Sequence, residues 1–202
     1  MLFDILGDVH GKEFQSNNAL VQVGDCGFRK AHERFLKQRK DNQYILFGNH
    51  DYYPMLYEEH SLFDYATINT SNHNILCIRG AYSIDKEYRK EGIDWWEEEQ
   101  LSYRQGLGLV DGLREGGERF NIIISHECPM FVKRELFGYH NKTLTNQLLE
   151  IVQEIVQPEM WYFGHYHRDE EYFANNTYFR CLAELSKDTF DIEKFEVKKY
   201  KL

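Results

Sequence analysis

Apolar residues are grouped along this chain in two ways. Short runs at 2–6, 19–23, 44–47, 75–78, 120–124 and 161–163 are almost uninterrupted and rich in β-branched and aromatic side chains, which predicts strands. Elsewhere the spacing changes. Residues 30–39 place Ala31, Phe35 and Leu36 on one side of an amphipathic helix. Over 143–156, Leu144, Leu148, Ile151, Val152 and Ile155 form a 3.6-residue stripe that Pro158 ends, the clearest helix in the chain. Another helix is predicted from Trp95 to about Leu113, weakened by Gly106, Gly108 and Gly112. The tail, over 177–185 and 190–200, reads as antiparallel strands.

Strands alternating with helices predict a partly parallel sheet covered by helices. Such sheets put ligand sites beyond the carboxyl ends of their strands. One connection is unusually short. Between Asp8 and Asp25 only residues 12–18 are free to cross over, whereas a parallel crossover ordinarily takes a dozen residues or more. This predicts bare coil or a single turn there, or two strands that are not neighbours. No repeat or low-complexity tether divides the chain, so a single domain over residues 1–202 is expected.

The residues that follow the strands share a chemistry. Five motifs occur in order: Gly7-Asp8-Val9-His10-Gly11, Gly24-Asp25, Gly48-Asn49-His50-Asp51, Ser125-His126 and Gly164-His165-Tyr166-His167. On a regular strand Asp8 and His10 would share a face and could chelate one metal. The two oxygens of Asp25 can span two ions, and Asn49 offers a neutral amide oxygen. His126 adds one imidazole, and His165 and His167 add two more on alternate residues. Taken singly, most of these pieces read as ordinary turns or surface histidines. Five of the chain's nine histidines fall in them, and their joint order sets the chain apart from chance. A donor set of nitrogen and oxygen without thiolate suits Mn²⁺, Fe or Zn²⁺.

The set resembles the calcineurin-like metallophosphoesterase superfamily. The stretch Arg79-Gly80-Ala81-Tyr82-Ser83-Ile84-Asp85 and the pair Trp95-Trp96 resemble its small bacterial and phage members. The resemblance implies an α/β fold, a four-layer α-β-β-α sandwich of two mixed sheets flanked by helices, here with a shortened first crossover. It implies two divalent metal ions, Mn²⁺ foremost. Asp8, His10, Asp25 and His167 would hold the first, and Asp25, Asn49, His126 and His165 the second. His50 would face the substrate as general acid, with Asp51 orienting it, while a hydroxide shared by the metals attacks phosphorus. Arg29 stands four residues after Asp25, the spacing of a phosphate-contacting arginine in the protein-phosphatase branch. Phe28 and Asp51 depart from that branch's pattern, so Arg29 enters only as a candidate substrate-binding residue, and a solvated charge at the start of a helix is the preferred reading. Tyr139 and His140 are candidates to line the cleft, with a surface loop the preferred reading.

Composition narrows the partners. Hydrophobic residues are 42% and charged residues 28% of the chain, as in soluble globular proteins. A net charge of −9 argues against general nucleic-acid binding or an anionic membrane surface. No segment reads as a signal peptide or membrane span. Cys26, Cys77, Cys128 and Cys181 are scattered, which fits a reducing, cytoplasmic setting and buried filler roles. The expectation is a metal-dependent hydrolase of small phosphate esters. Diesters are favoured over monoesters, because no cap domain and no complete arginine motif is evident. The alternatives are a phosphomonoesterase, a protein phosphatase, or an inactive binding scaffold of the same fold.

Overall fold

The structure, a computed structural model, describes residues 1–202. The strands are β1 (Leu2–Leu6), β2 (Ala19–Gln22), β3 (Gln43–Ile45), β4 (Tyr65–Thr70), β5 (Asn74–Ile78), β6 (Ile122–Ser125), β7 (Met160–Phe163), β8 (Glu170–Ala174), β9 (Thr177–Cys181), β10 (Lys187–Asp191) and β11 (Phe195–Tyr200). The helices are α1 (Arg29–Gln38), α2 (Tyr103–Gly116), α3 (Met130–Phe137) and α4 (Leu144–Val156). The strands form two mixed sheets, ordered β10-β1-β2-β3 and β11-β4-β5-β6-β7-β9-β8.

Side-chain alternation along the strands builds the layers. Phe3, Ile5, Ala19 and Val21 from the first sheet meet Ile75, Cys77, Ile122, Ile124 and Tyr162 from the second, forming the core between the sheets. The intervening residues face outward. Leu6, Leu20 and Ile45 pack against Phe35 of α1. Leu76, Ile123, Trp161 and Phe163 pack against Leu109 and Val110 of α2, Val132 of α3 and Leu148, Leu149 and Val152 of α4. This is the four-layer α-β-β-α sandwich. Each such aliphatic side chain, fully buried, contributes roughly 1.5–3 kcal/mol of transfer free energy before entropy is counted.

The short crossover resolves in favour of neighbouring strands. β1 and β2 pair in parallel, with Phe3 opposite Ala19, and residues 12–17 carry no helix. Where a crossover helix would cover the sheet, Asp4 instead anchors the chain. Its buried carboxylate accepts from Ser16 Oγ (2.7 Å), Asn18 Nδ2 (3.0 Å), Thr189 Oγ1 (2.7 Å) and Lys187 Nζ (3.2 Å). Burial works to raise the Asp4 pKa, but these four donors more than offset it and hold the carboxyl below its usual range.

Three expectations are corrected. The helix predicted from Trp95 begins only at Tyr103, where Ser102 and Gln105 form a capping box; residues 95–101 form a loop containing one short 3-10 turn. The apolar face of α4 is displaced: Leu148, Leu149 and Val152 are buried, while Leu144 and Ile151 are largely exposed. The tail strands do not pair with each other. β10 adds antiparallel to β1, β11 antiparallel to β4, and β9 pairs antiparallel with β8 and parallel with β7. β4, β8 and the two-turn helix α3 have no counterpart in the sequence reading.

Because β1, β2 and β3 are parallel in one sheet, and β5, β6 and β7 in the other, their carboxyl ends share an edge. All five motifs follow such ends.

Candidate metal centre

The motif loops interlock before any side chain is considered. The amides of Val9 and His10 donate to Asp25 O at 3.1 and 2.9 Å, and Gly164 N donates to His126 O at 3.1 Å. His10, Asp25, His165 and His167 all take positive φ, between 49° and 69°. Left-handed backbone at four non-glycine residues in one site is costly and is sustained by the surrounding bonds. It also changes how Asp8 and His10 meet. The strand does not run on past Leu6, so they converge through a turn rather than through alternation. Gly48 and Gly164 leave the needed space. A Cβ at residue 48 would fall onto Asp25 Oδ1, and one at residue 164 onto Asp8 Oδ1.

The side chains gather into two groups that share Asp25. In the first, the ligand atoms of Asp8, His10, Asp25 and His167 all lie within 4.8 Å of one another. His167 Nε2 is 3.2 Å from Asp8 Oδ2 and 2.8 Å from His10 Nε2. In the second, Asp25, His126 and His165 meet the same limit, with His126 Nε2 3.2 Å from Asp25 Oδ1. Asn49 lines the cleft there, together with Asp25 and His165.

Among the buried atoms here without a hydrogen-bond partner are Asn49 Oδ1 and His126 Nε2. In both cases the other end of the group is occupied. Asn49 Nδ2 donates to Ser83 Oγ (3.2 Å), which donates to the buried Glu99 (2.6 Å). His126 Nδ1 faces Val23 O at 3.1 Å, an arrangement that fixes a ligand imidazole and leaves Nε2 for a cation. An unpartnered buried oxygen and nitrogen beside two carboxylates fit positive ions. Behind His165, Glu127 is fully buried. Its Oε1 accepts from Tyr166 OH and from Cys128 N (2.9 Å), and its Oε2 lies 3.8 Å from His165 Nε2.

The charges are strongly linked. Burial works against a charged His126, but Asp25 and Asp8 outweigh it and push the imidazole up to about 10. Cation loading must therefore expel a proton. Mn²⁺ affinity is expected to rise roughly tenfold per pH unit in the neutral range, with about one proton released per chain. Calorimetric titration in buffers of different ionisation enthalpy measures both. Affinity independent of pH would show that His126 is not a protonated ligand displaced by the metal.

Two expected roles change. Asp51 does not touch His50. It is fully buried, and its carboxylate accepts from Asp25 N (2.8 Å), Gly27 N (3.1 Å) and Gly48 N (2.7 Å), tying two motif loops together. The carboxylate facing His50 is Asp25, 3.3 Å from its Nδ1. Burial, joined by Arg89, moves the His50 pKa down to about 4 against the pull of Asp25. Arg29 does not reach the cleft. It is 69% exposed and pairs with Glu33 at 3.0 Å along the surface of α1. Cys26 and Cys128 are buried; Trp96 packs with Phe28, Tyr52 and Tyr53.

The site opens into a cleft of about 630 Å³, whose walls include Tyr82, Arg89, Lys133, Tyr139 and Asn141. The sequence reading nominated none of these except Tyr139, for which it preferred a surface loop. The only signal was the resemblance over 79–85 and 95–96, which marked the loop carrying Tyr82 and Arg89 without assigning a role.

The fold and the paired clusters define a class, and the family comparison agrees. The calcineurin-like phosphoesterase family profile matches residues 1–169, and the chain belongs to that family. Among solved structures, it is similar to phosphopantetheinyl hydrolase from Mycobacterium tuberculosis, with a TM-score of 0.59 at 10% identity over 90% of this chain and 89% of that one. It is also similar to a dimetal phosphatase from Danio rerio, with a TM-score of 0.51 at 14% identity over 92% and 88%. At these identities the likeness is one of fold. Comparison with curated proteins gives no significant match. No helix is long and apolar enough to cross a membrane.

Proposed function

We propose that this protein hydrolyses small phosphate esters with two divalent cations. Asp8, His10, Asp25 and His167 would hold one, and Asp25, Asn49, His126 and His165 the other. The observation that carries this reading is the pair of orphaned buried atoms, Asn49 Oδ1 and His126 Nε2, flanking a carboxylate common to both clusters. When bound, the cations would supply Lewis-acid charge and activate water.

The chain's own residues do the rest. Asp25 presents one oxygen toward His126 and the other toward His10 and His50. Its Oδ1 also accepts His50 N at 2.7 Å, so the loop bearing His50 is tied to the ligand set. His50 is 27% exposed and stands on the cleft wall, where it can deliver a proton to a leaving oxygen. Ser83 and Glu99 hold the Asn49 amide, and Glu127 backs His165. Mn²⁺ is the first ion to test, with Fe and Zn²⁺ after it.

The test is turnover of an aryl phosphate and of a bis-aryl phosphate by chelator-stripped protein, before and after Mn²⁺ is restored. Both activities should vanish on stripping and return on reconstitution. Full turnover by protein with no measurable metal would overturn the reading.

A further inference from the structure

We propose that Arg89 is a phosphate-binding residue that makes phosphomonoesters the preferred substrates. This rests on the phosphoesterase reading above and deepens it.

Arg89 and Lys133 are the cationic side chains on the cleft wall apart from the histidines. Lys133 is committed elsewhere. It is 4% exposed, donates to Asn146 Oδ1 at 3.1 Å and lies 3.8 Å from Glu127. Arg89 is held differently. Nη1 donates to the carbonyls of Asn49 and Asp94, both at 3.4 Å, and Nη2 to Asp85 Oδ2 at 3.0 Å. Nη2 also meets His50 Nε2. The guanidinium thus sits against the proposed general acid and the backbone of the metal-ligand Asn49, with only long bonds on Nη1.

The loop that carries it is anchored at both ends. Arg79 is paired with Asp64 at 2.6 Å, and Gly80 N donates to Phe47 O at 2.8 Å. Ser83 N donates to Glu99 Oε1 at 2.8 Å, and Lys90 N to Asp94 Oδ1 at 2.6 Å. Asp85, 2.8 and 3.0 Å from Nη2, holds the guanidinium on the cleft wall, and an oxyanion that displaces the two long Nη1 bonds meets a planar, charged donor already in place.

The chemistry of the ester then decides which substrate gains. A monoester carries three unesterified oxygens and two charges. A diester carries two such oxygens, one charge, and a second substituent where a monoester has an oxyanion. Arg89 therefore favours the monoester. The expectation of diesters rests on two points, no cap domain and no complete arginine motif; Arg29 does lie in solvent, but Arg89 puts an arginine on the cleft wall and so removes the second.

The experiment compares wild type with Arg89→Met and Arg89→Lys, all loaded with the same metal. It measures kcat/KM for an aryl phosphate and its bis-aryl diester, and calorimetric affinity for inorganic phosphate. Wild type should prefer the monoester by at least about tenfold. Arg89→Met should lose about 10–100-fold on the monoester and on phosphate affinity, and distinctly less on the diester, with metal content unchanged and the protein still folded by circular dichroism. Arg89→Lys should fall between, since it keeps the charge without the fork. It also carries the test should the methionine variant not fold. Equal losses on both esters, or unchanged phosphate affinity, would overturn the proposal. If wild type hydrolyses neither ester, the phosphoesterase reading fails instead, and phosphate affinity still decides whether Arg89 binds the oxyanion.

Discussion

Replacing Asp25 with alanine is expected to strip both cations from the protein. Asp25 is the residue common to the two clusters, with one oxygen 3.2 Å from His126 Nε2 and the other 3.8 Å from His10 Nε2. Loss of an outer partner of a metal ligand already costs about 10–100-fold in affinity, so loss of a ligand shared by two ions should cost at least about 100-fold for each. Asp25→Asn separates the causes. It keeps an oxygen for the His50 amide, which Asp25 Oδ1 accepts at 2.7 Å, but removes the negative charge. Metal content after dialysis against metal-free buffer, beside far-ultraviolet circular dichroism, is the measurement. A folded Asp25→Asn protein that retains two tightly bound ions would show that the carboxylate does not serve both pockets.

His50→Ala is expected to do the opposite, leaving metal content near wild type and slowing turnover by roughly 10²–10⁴-fold. The backbone explains the first half. Asp25 Oδ2 faces the ring, but its Oδ1 accepts the N–H of residue 50, and alanine retains that N–H. The second half follows from the ring's place on the cleft wall. Burial and Arg89 keep His50 neutral at pH 7 in the metal-free chain. The proton it delivers would then be taken up from solvent water once the charge of an anionic substrate lies beside the ring. The loss should be largest for alkyl esters, whose leaving alkoxide must be protonated, and much smaller for an aryl ester with a stable phenolate. An equal loss on both leaving groups, or loss of metal, would remove His50 from the role of general acid.

Much of the site was legible in the sequence because its residues lie in short motifs at strand ends. Asp8, Asp25, Asn49, His126, His165 and His167 all stand in the polar residues that follow five of the apolar runs. Asp51 and Arg29 were placed by resemblance, and the structure puts both elsewhere. Asp51 is taken up by three backbone N–H groups that exist as a set only once the loops have met. Arg29 is turned outward by the start of α1 and its i,i+4 partner Glu33. The Asp51 outcome is not encoded in local spacing, whereas the Arg29 outcome is, through the helix start and the i,i+4 pair. The tail resembles Asp51 in this, since two β-patterned runs could pair with each other or separate, and separate sheet edges were open to them.

From its own pattern the sequence determined the alternation of strands and helices, the order of the candidate metal-ligand motifs and the absence of a helix between β1 and β2. These are local properties, set by side-chain periodicity and by the length of chain between two strands. The tertiary structure decided what no local pattern encodes. It set which edge each tail strand joins, which amides Asp51 ties together, and which cation reaches the cleft. Arg89 lies 39 residues from His50. Only the packing of the 79–100 loop over the carboxyl ends of the strands brings its guanidinium beside that imidazole.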